Sequence, residues 1–243
     1  MLHAPTLAPA SRAVRGSTRE PIGSLAVPNV DVVKIGILGS GMMASAIAPH
    51  WIGAGHDVVV GGRTPERAQQ LSADLGVEHG TLAEVAAFAD VALLAVRSEG
   101  LGETLDLAGA SRGTLAGTTV IDCGNAVHLG DYSQVRWDGR SLAEEVEFRA
   151  VGSKVVKAFN LCHADVWRTP TTYGGAPLRV PFCGSEEARS VARPLIELLG
   201  DPLDIGDLSQ ARHLEAMAII MIRALASGQT PLRSAFNLLS ADG

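Results

Sequence analysis

The 243-residue sequence lacks most of the features that mark metal-binding, disulfide-bonded or nucleic-acid-binding proteins. Its three cysteines, Cys123, Cys162 and Cys183, are widely spaced, so they form neither a CxxC metal motif nor a disulfide framework. The formal net charge of −6 argues against nucleic acid or an anionic membrane as the main partner. No apolar run reaches the roughly 18 residues that a membrane span needs. These absences favour a soluble protein without metal in a reducing, cytoplasmic setting.

The first 32 residues differ in composition from the rest. They carry three arginines, at positions 12, 15 and 19, against one acid, Glu20, and four prolines. We expect residues 1–32 to be a disordered leader, and a transit peptide is the alternative because the stretch is basic and poor in acids.

From residue 33 onward, strand-like and helix-like segments alternate. The hydrophobic pattern predicts strands at 33–39, 56–62, 90–96, 118–123, 154–160, 179–184 and 202–206, and helices at 42–52, 64–76, 82–89, 99–109, 141–150, 186–199, 208–227 and 230–239. Apolar strands separated by helices indicate an α/β fold with a doubly wound parallel sheet, the Rossmann fold. We assign 33–165 to a dinucleotide-binding domain and 166–243 to a smaller substrate and dimerisation part that contains a long helix.

A glycine-rich turn follows the first strand. Gly39-Ser40-Gly41-Met42-Met43-Ala44 is a G-x-G-x-x-A pattern between a strand and a helix. The first glycine permits the tight turn, the second lets the backbone approach a pyrophosphate, and the helix N-terminus attracts the phosphate charge. This context predicts dinucleotide binding, with a purely structural glycine turn as the alternative.

The end of the second strand distinguishes the two nicotinamide cofactors. An NAD site places an acid there for the ribose hydroxyls, whereas this chain reads Gly61-Gly62-Arg63-Thr64-Pro65-Glu66-Arg67. Arginine can donate two parallel hydrogen bonds to a phosphate. The pattern favours NADP(H), although Arg63 and Arg67 could also be solvated surface charges.

Five stretches then follow one another in a characteristic order: KIGILGSGMMASAIA, VVVGGRTPERA, VIDCGN, KVVKAFN and ARHLEAMA. In these the chain resembles the NADPH-dependent reductases of coenzyme F-420, a deazaflavin, and it is similar to the cytoplasmic domains of the STEAP metalloreductases. The resemblance runs from residue 33 to about 225. It implies a Rossmann domain with a smaller C-terminal part, NADPH binding, hydride transfer and a homodimer.

Carried over residue by residue, the resemblance implies two groups of site residues. The cofactor group is Gly39, Ser40, Gly41, Met42, Met43, Arg63, Thr64, Arg67, Ala95, Val96, Arg97 and Asn125. The substrate-pocket group from the resemblance is Lys157 and Asn160 of the KAFN motif. Because Cys162 and His163 lie just past the same strand end, we add them to the pocket, together with Met217 of the long helix. The chain departs from the family at the acceptor side, where Arg97-Ser98 replaces Pro-Trp and Gly124-Asn125-Ala126 replaces Thr-Asn-Pro.

Two residues are candidate proton donors. His163 lies just past a strand end and could protonate a substrate atom that gains negative charge after hydride transfer, although it could instead cap the following turn. Tyr173 lies in a Gly174-Gly175 loop that could act as a lid. Lys157 interrupts an apolar strand and either faces the crevice or lies along the sheet edge. The cysteines are expected to be small apolar fillers.

These observations lead to one expected function and two alternatives. We expect an NADP-dependent oxidoreductase that transfers hydride between NADP(H) and coenzyme F-420. The departures on the acceptor side keep open a reductase of a small imine or activated alkene, and a non-catalytic NADP(H) sensor is the alternative from another class. The helix at 208–227 is apolar almost all round, so it packs either in the chain's own core or, as we expect, against its twin in a homodimer.

Overall fold

Strands and helices alternate through the part of the chain that the computed structural model describes, residues 31–128, 130–135 and 137–239. The predictions for the leader lie outside the described residues. The first six strands and five helices are β1 (Lys34–Leu38), α1 (Met42–Gly53), β2 (Asp57–Gly61), α2 (Pro65–Leu75), β3 (Glu78–Gly80), α3 (Leu82–Phe88), β4 (Val91–Leu94), α4 (Leu101–Leu107), β5 (Thr119–Asp122), α5 (Leu142–Arg149) and β6 (Lys154–Lys157). They are followed by α6 (Ala164–Arg168), β7 (Thr172–Tyr173), β8 (Ala176–Pro177), β9 (Arg179–Gly184), α7 (Glu186–Glu197), β10 (Asp201–Asp204) and α8 (Ala211–Ala226).

The described strands form an eight-stranded sheet in the order β10-β9-β6-β5-β4-β1-β2-β3, beside a separate β7–β8 hairpin. The strands from β1 to β6 are parallel, which confirms the doubly wound α/β fold. The strand order reverses between β1 and β4, the position at which open α/β sheets hold their ligands.

Two strands depart from the predicted parallel arrangement. β9 runs antiparallel to β6, and β10, which is parallel to β9, runs in the same opposite direction. The chain between β6 and β9 passes through α6 and the β7–β8 hairpin, and an antiparallel pair needs no crossover helix between its strands. The strands after residue 165 therefore extend the same sheet, and a domain division at that point stays a prediction.

The helices cover the sheet on both faces. One buried cluster joins the sheet to α1, α2, α6 and α7, and a second joins it to α3, α4, α5 and α8. Leu214, Ala218 and Met221 place one side of α8 in the chain's own core, whereas Met217 and Ile220 on the same helix are exposed. The structure thus confirms burial in the chain's own core for one side of α8, and the homodimer stays a prediction.

Four short elements were not predicted, and one predicted helix is absent from the described residues. The strands β3, β7 and β8 and the five-residue helix α6 are too short to show a periodic pattern. Residues 230–239 form no helix, and the Asn237 side chain ties this segment to the backbone of Tyr173, Pro177 and Arg179. No described helix has the length and apolar character to cross a bilayer.

A buried charge cluster lies where β5, β6, α5 and α8 meet. The Lys157 Nζ lies 2.8 Å from Asp122 Oδ2 and 3.0 Å from Glu215 Oε1, and all three side chains are buried. Burial alone would lower the pKa of Lys157, but the two carboxylates outweigh it and raise that pKa. Burial also raises the pKa of Asp122, which Lys157 partly offsets. Lys157 is therefore enclosed in the core.

We expect Lys157→Met to lower the free energy of unfolding by about 3–5 kcal/mol, because it leaves two buried carboxyl groups without their counter-charge. Urea denaturation monitored by circular dichroism measures this. The matched control is Lys154→Met on the same strand, which removes a partly exposed ion pair with Glu187 and should cost about 1 kcal/mol or less. An equal loss of unfolding free energy in the two variants would contradict the interpretation that Lys157 neutralises two buried carboxylates.

Candidate active site

A cleft of about 850 Å³ lies at the carboxyl ends of β1, β2, β4, β5 and β6. It is lined by every residue that the sequence predicted for the cofactor: Gly39, Ser40, Gly41, Met42, Met43, Arg63, Thr64, Arg67, Ala95, Val96, Arg97 and Asn125. Of the predicted substrate-pocket residues, Asn160, Cys162 and His163 also line it. One sheet edge thus brings together residues from five strand ends, and their roles stay predictions.

The glycine turn shapes the centre of the cleft. Gly39 has φ +131°, and a Cβ there would lie 2.4 Å from the carbonyl oxygen of Ala95, so no larger residue fits. A Cβ at Gly41 would meet only that same oxygen, at 3.9 Å. Gly41 is the N-cap of α1, whose first turn carries no acid and no capping side chain. The free N–H groups and the positive end of the helix dipole therefore suit an anion.

Arg63 provides positive charge at the β2 end of the cleft. Its Nη1 lies 2.6 Å from Glu103 Oε2 of α4, and both side chains are substantially exposed. A Cβ at Gly100 would lie 2.6 Å from the Arg63 Nη2, so this glycine leaves room for the guanidinium. Thr64 precedes α2 without a capping hydrogen bond from its side chain. The arrangement can bind a phosphate, and Glu103 is a charged neighbour that the sequence analysis missed.

Two asparagines form a reciprocal pair at the opposite end. Asn125 Nδ2 donates to the Asn160 carbonyl at 2.8 Å, and Asn160 Nδ2 donates to Asn125 Oδ1 at 2.9 Å. The loop that carries Asn125 is held in turn by Lys157, whose Nζ donates to the Gly124 carbonyl at 2.6 Å. The paired amides at this end of the cleft carry no charge, and they hold each other in one orientation.

His163 serves as the N-cap of α6, the alternative role considered from the sequence. Its Nδ1 accepts a hydrogen bond from the backbone N–H of Asp165 at 3.3 Å, and the Asp165 carboxylate lies 3.5 Å from the same nitrogen. One ring nitrogen is thus committed to structure, although the residue still lines the cleft.

Three predicted site residues do not line the cleft. Lys157 is enclosed in the charge cluster. The Tyr173 hydroxyl donates to the Arg233 carbonyl at 3.2 Å, so the β7–β8 hairpin packs on the chain that follows α8. Met217 is 40% exposed on the outer side of α8. These predictions need correction because packing partners far along the chain decide which way each side chain faces.

Four other residues of α8 line the cleft, and the sequence analysis missed them: Ala218, Met221, Ile222 and Leu225. Their spacing of three or four residues is the pattern by which a helix presents one apolar face. The periodicity was available in the sequence, but its phase was not, because the helix is apolar on several sides.

The sequence of this chain is similar to those of known oxidoreductases. Residues 34–126 match the family model described as NADP oxidoreductase, coenzyme F420-dependent. The chain is 33% identical to the rat metalloreductase STEAP3 over 218 residues, which are 89% of this chain and 42% of that protein. It is 26% identical to human STEAP2 over 82% of this chain and 38% of that protein. The chain thus spans less than half the length of these curated relatives.

Solved structures share the fold. A candidate F420-dependent NADP reductase from Arthrobacter sp. FB24 superimposes with a TM-score of 0.75 and 26% identity, over 86% of this chain and 100% of that one. A reductive aminase from Aspergillus terreus, solved with NADPH, matches with a TM-score of 0.58 and 22% identity, over 81% of this chain and 63% of that one. The second likeness shows the fold alone.

The cysteines near the cleft are poor nucleophiles. Burial raises the pKa of Cys123, Cys162 and Cys183 to about 12. We expect iodoacetamide at pH 8 to label Cys162, the least buried of them, about a thousandfold more slowly than an ordinary thiol, because only the thiolate reacts. Mass spectrometry measures the labelling, and the unfolded protein, in which all three should react, is the control. Labelling of folded Cys162 at the rate of a free thiol would contradict this.

Proposed function

We propose that the chain binds NADPH along the cleft and transfers hydride to coenzyme F-420, because residues 34–126 match the family model of coenzyme F420-dependent NADP oxidoreductases and the chain resembles a reductase of that kind in fold. One observation carries the proposal. A single cleft joins a helix terminus suited to an anion and an exposed guanidinium past β2 to a pair of uncharged amides past β5 and β6. A dinucleotide with an extra phosphate on one ribose and a neutral nicotinamide on the other fits this layout.

The residues that line the cleft can hold NADPH in one orientation, with its 2′-phosphate near β2 and its nicotinamide near β4 and β5. The α1 N-terminus would bind the pyrophosphate, and Arg63 with Thr64 would bind the 2′-phosphate, where an acid would select NAD instead. Ala95, Val96 and Asn125 then border the nicotinamide half. When bound, NADPH supplies a hydride from its nicotinamide ring. The apolar side chains from α8 along the cleft exclude water from the path of that hydride.

The acceptor is inferred from the scarcity of proton donors. Reduction of an imine or an alkene needs a side-chain acid near the reacting atom, whereas hydride transfer to a deazaflavin needs little acid–base work. Of the two donors predicted from the sequence, His163 caps α6 through its Nδ1, and Tyr173 bonds to the chain after α8. The cleft cysteines hold their protons with a pKa of about 12. A deazaflavin therefore suits this cleft better than a small imine or alkene.

Purified protein should oxidise NADPH, followed at 340 nm, when oxidised coenzyme F-420 is present, and much more slowly without it. A cyclic imine offered as the acceptor is the comparison, and it should give little turnover because few proton donors line the cleft. NADPH binding without turnover of any acceptor would contradict the proposed activity and favour an NADP(H) sensor. Turnover of the imine alone would replace the deazaflavin by a small substrate.

Arg63→Met should weaken NADPH binding about 10- to 100-fold and leave NADH binding nearly unchanged, because only NADPH carries the 2′-phosphate. Titration of the reduced nicotinamide's fluorescence measures both affinities. Arg179→Met is a matched control, since Arg179 is equally exposed and paired with Asp201 away from the cleft. A parallel loss of NADH and NADPH binding would show that Arg63 supports the fold and does not select the phosphate.

A further inference from the structure

Asn160 carries a buried polar atom that the fold does not satisfy. The residue is 4% exposed and lines the cleft, and its Oδ1 has no hydrogen-bond partner among the described residues. A buried amide oxygen without a donor costs stability, so such atoms are rare in folded proteins. A buried residue that lines a cleft and keeps an unsatisfied acceptor is a candidate for hydrogen bonding to a ligand in that cleft.

The orientation of this amide is determined by its neighbours. Asn125 must present its Nδ2 to the Asn160 carbonyl, because a carbonyl only accepts. That places Asn125 Oδ1 next to the Asn160 side chain. Because this oxygen only accepts, Asn160 donates its Nδ2 to it, at 2.9 Å. A rotated Asn160 amide would set two oxygens against each other. The unpartnered atom is therefore the oxygen, and the missing partner is a donor.

Backbone strain is stored beside the same residue. Phe159 has φ +63°, a conformation that a bulky residue seldom adopts. It is held there by a hydrogen bond from Trp167 Nε1 to its carbonyl at 3.2 Å and by edge contacts with the rings of Trp51 and Trp167. Strained residues persist where the surroundings enforce them, and they cluster at functional sites. Here the strain sets the position of Asn160.

We propose that Asn160 Oδ1 accepts a hydrogen bond from the amino group of the nicotinamide carboxamide and so orients the hydride-bearing ring. The inference rests on the proposed function. Along the sheet, Arg63 lies past β2, the glycine turn lies past β1 and Asn160 lies past β6. A cofactor whose phosphates bind at Arg63 and the glycine turn therefore extends its nicotinamide toward Asn160. The carboxamide is the only N–H donor on that ring. Asn125 acts as a positioning residue for Asn160.

The test compares NADPH with its reduced 3-acetylpyridine analogue, which keeps the carbonyl and replaces the amino group by a methyl. Wild-type protein should bind the analogue about five-fold more weakly, the effect of one neutral hydrogen bond, in a fluorescence titration without any acceptor. In Asn160→Leu the two ligands should bind equally, because the acceptor oxygen is gone. Arg179→Met, a change away from the cleft, should keep the wild-type ratio.

The outcomes separate this inference from the proposed function. Equal binding of both ligands by wild-type protein overturns the role of Asn160 and leaves NADPH binding intact. A ratio that persists in Asn160→Leu overturns it as well, since another residue would then read the amino group. If wild-type protein binds neither ligand, the proposed function fails together with the inference. If Asn160→Leu does not fold, Asn160→Ala takes its place, and equal binding or a persisting ratio in that variant decides the assignment in the same way.

Discussion

The ammonium group of Lys157 is the interaction on which the cleft depends. It joins Asp122 on β5 to Glu215 on α8, and it donates to the Gly124 carbonyl in the loop that leads to Asn125. Glu215 also accepts hydrogen bonds from the backbone N–H groups of Leu142 and Ala143 at the start of α5. Two strands, two helices and the Asn125 loop are thus held by one buried charge. Without this ammonium group, no single contact would fix the positions of these parts of the cleft wall relative to one another.

Such a cluster is a costly way to hold a core together. A well-packed apolar replacement of the whole cluster could be as stable, because each buried charge must first lose its water. What apolar contacts cannot provide is register, since an apolar helix such as α8 can slide or rotate on an apolar sheet. Glu215 accepts bonds in one position only. We regard the cluster as the device that sets which face of α8 lies along the cleft.

The parts of the site that sequence reasoning predicted well depend on local chemistry. A few consecutive residues are enough to recognise the Gly39–Gly41 turn and the Arg63–Thr64 strand end, and the structure places both in the cleft. Lys157 and Tyr173 were misplaced because their partners, Glu215 and Arg233, come from distant parts of the chain. No pattern in the residues around Lys157 indicates that a buried carboxylate from a distant part of the chain will pair with it. The direction of β9 was missed for the same reason, since it depends on where its connection lies.

The two ends of the cleft differ in a way that constrains the chemistry. Arginines at one end and paired amides at the other would fix the direction in which a dinucleotide lies, before any acceptor enters. The acceptor side then has few groups that can give up a proton, because His163 caps α6 and the cysteine thiols have raised pKa values. A protein built this way can hold two partners in line for hydride transfer, and the proton that accompanies the hydride then comes from solvent and not from a side chain. Arg97-Ser98 and Gly124-Asn125-Ala126, where the chain departs from the deazaflavin reductases that it resembles, therefore alter the shape and hydrogen bonding of this side of the cleft and not its supply of protons.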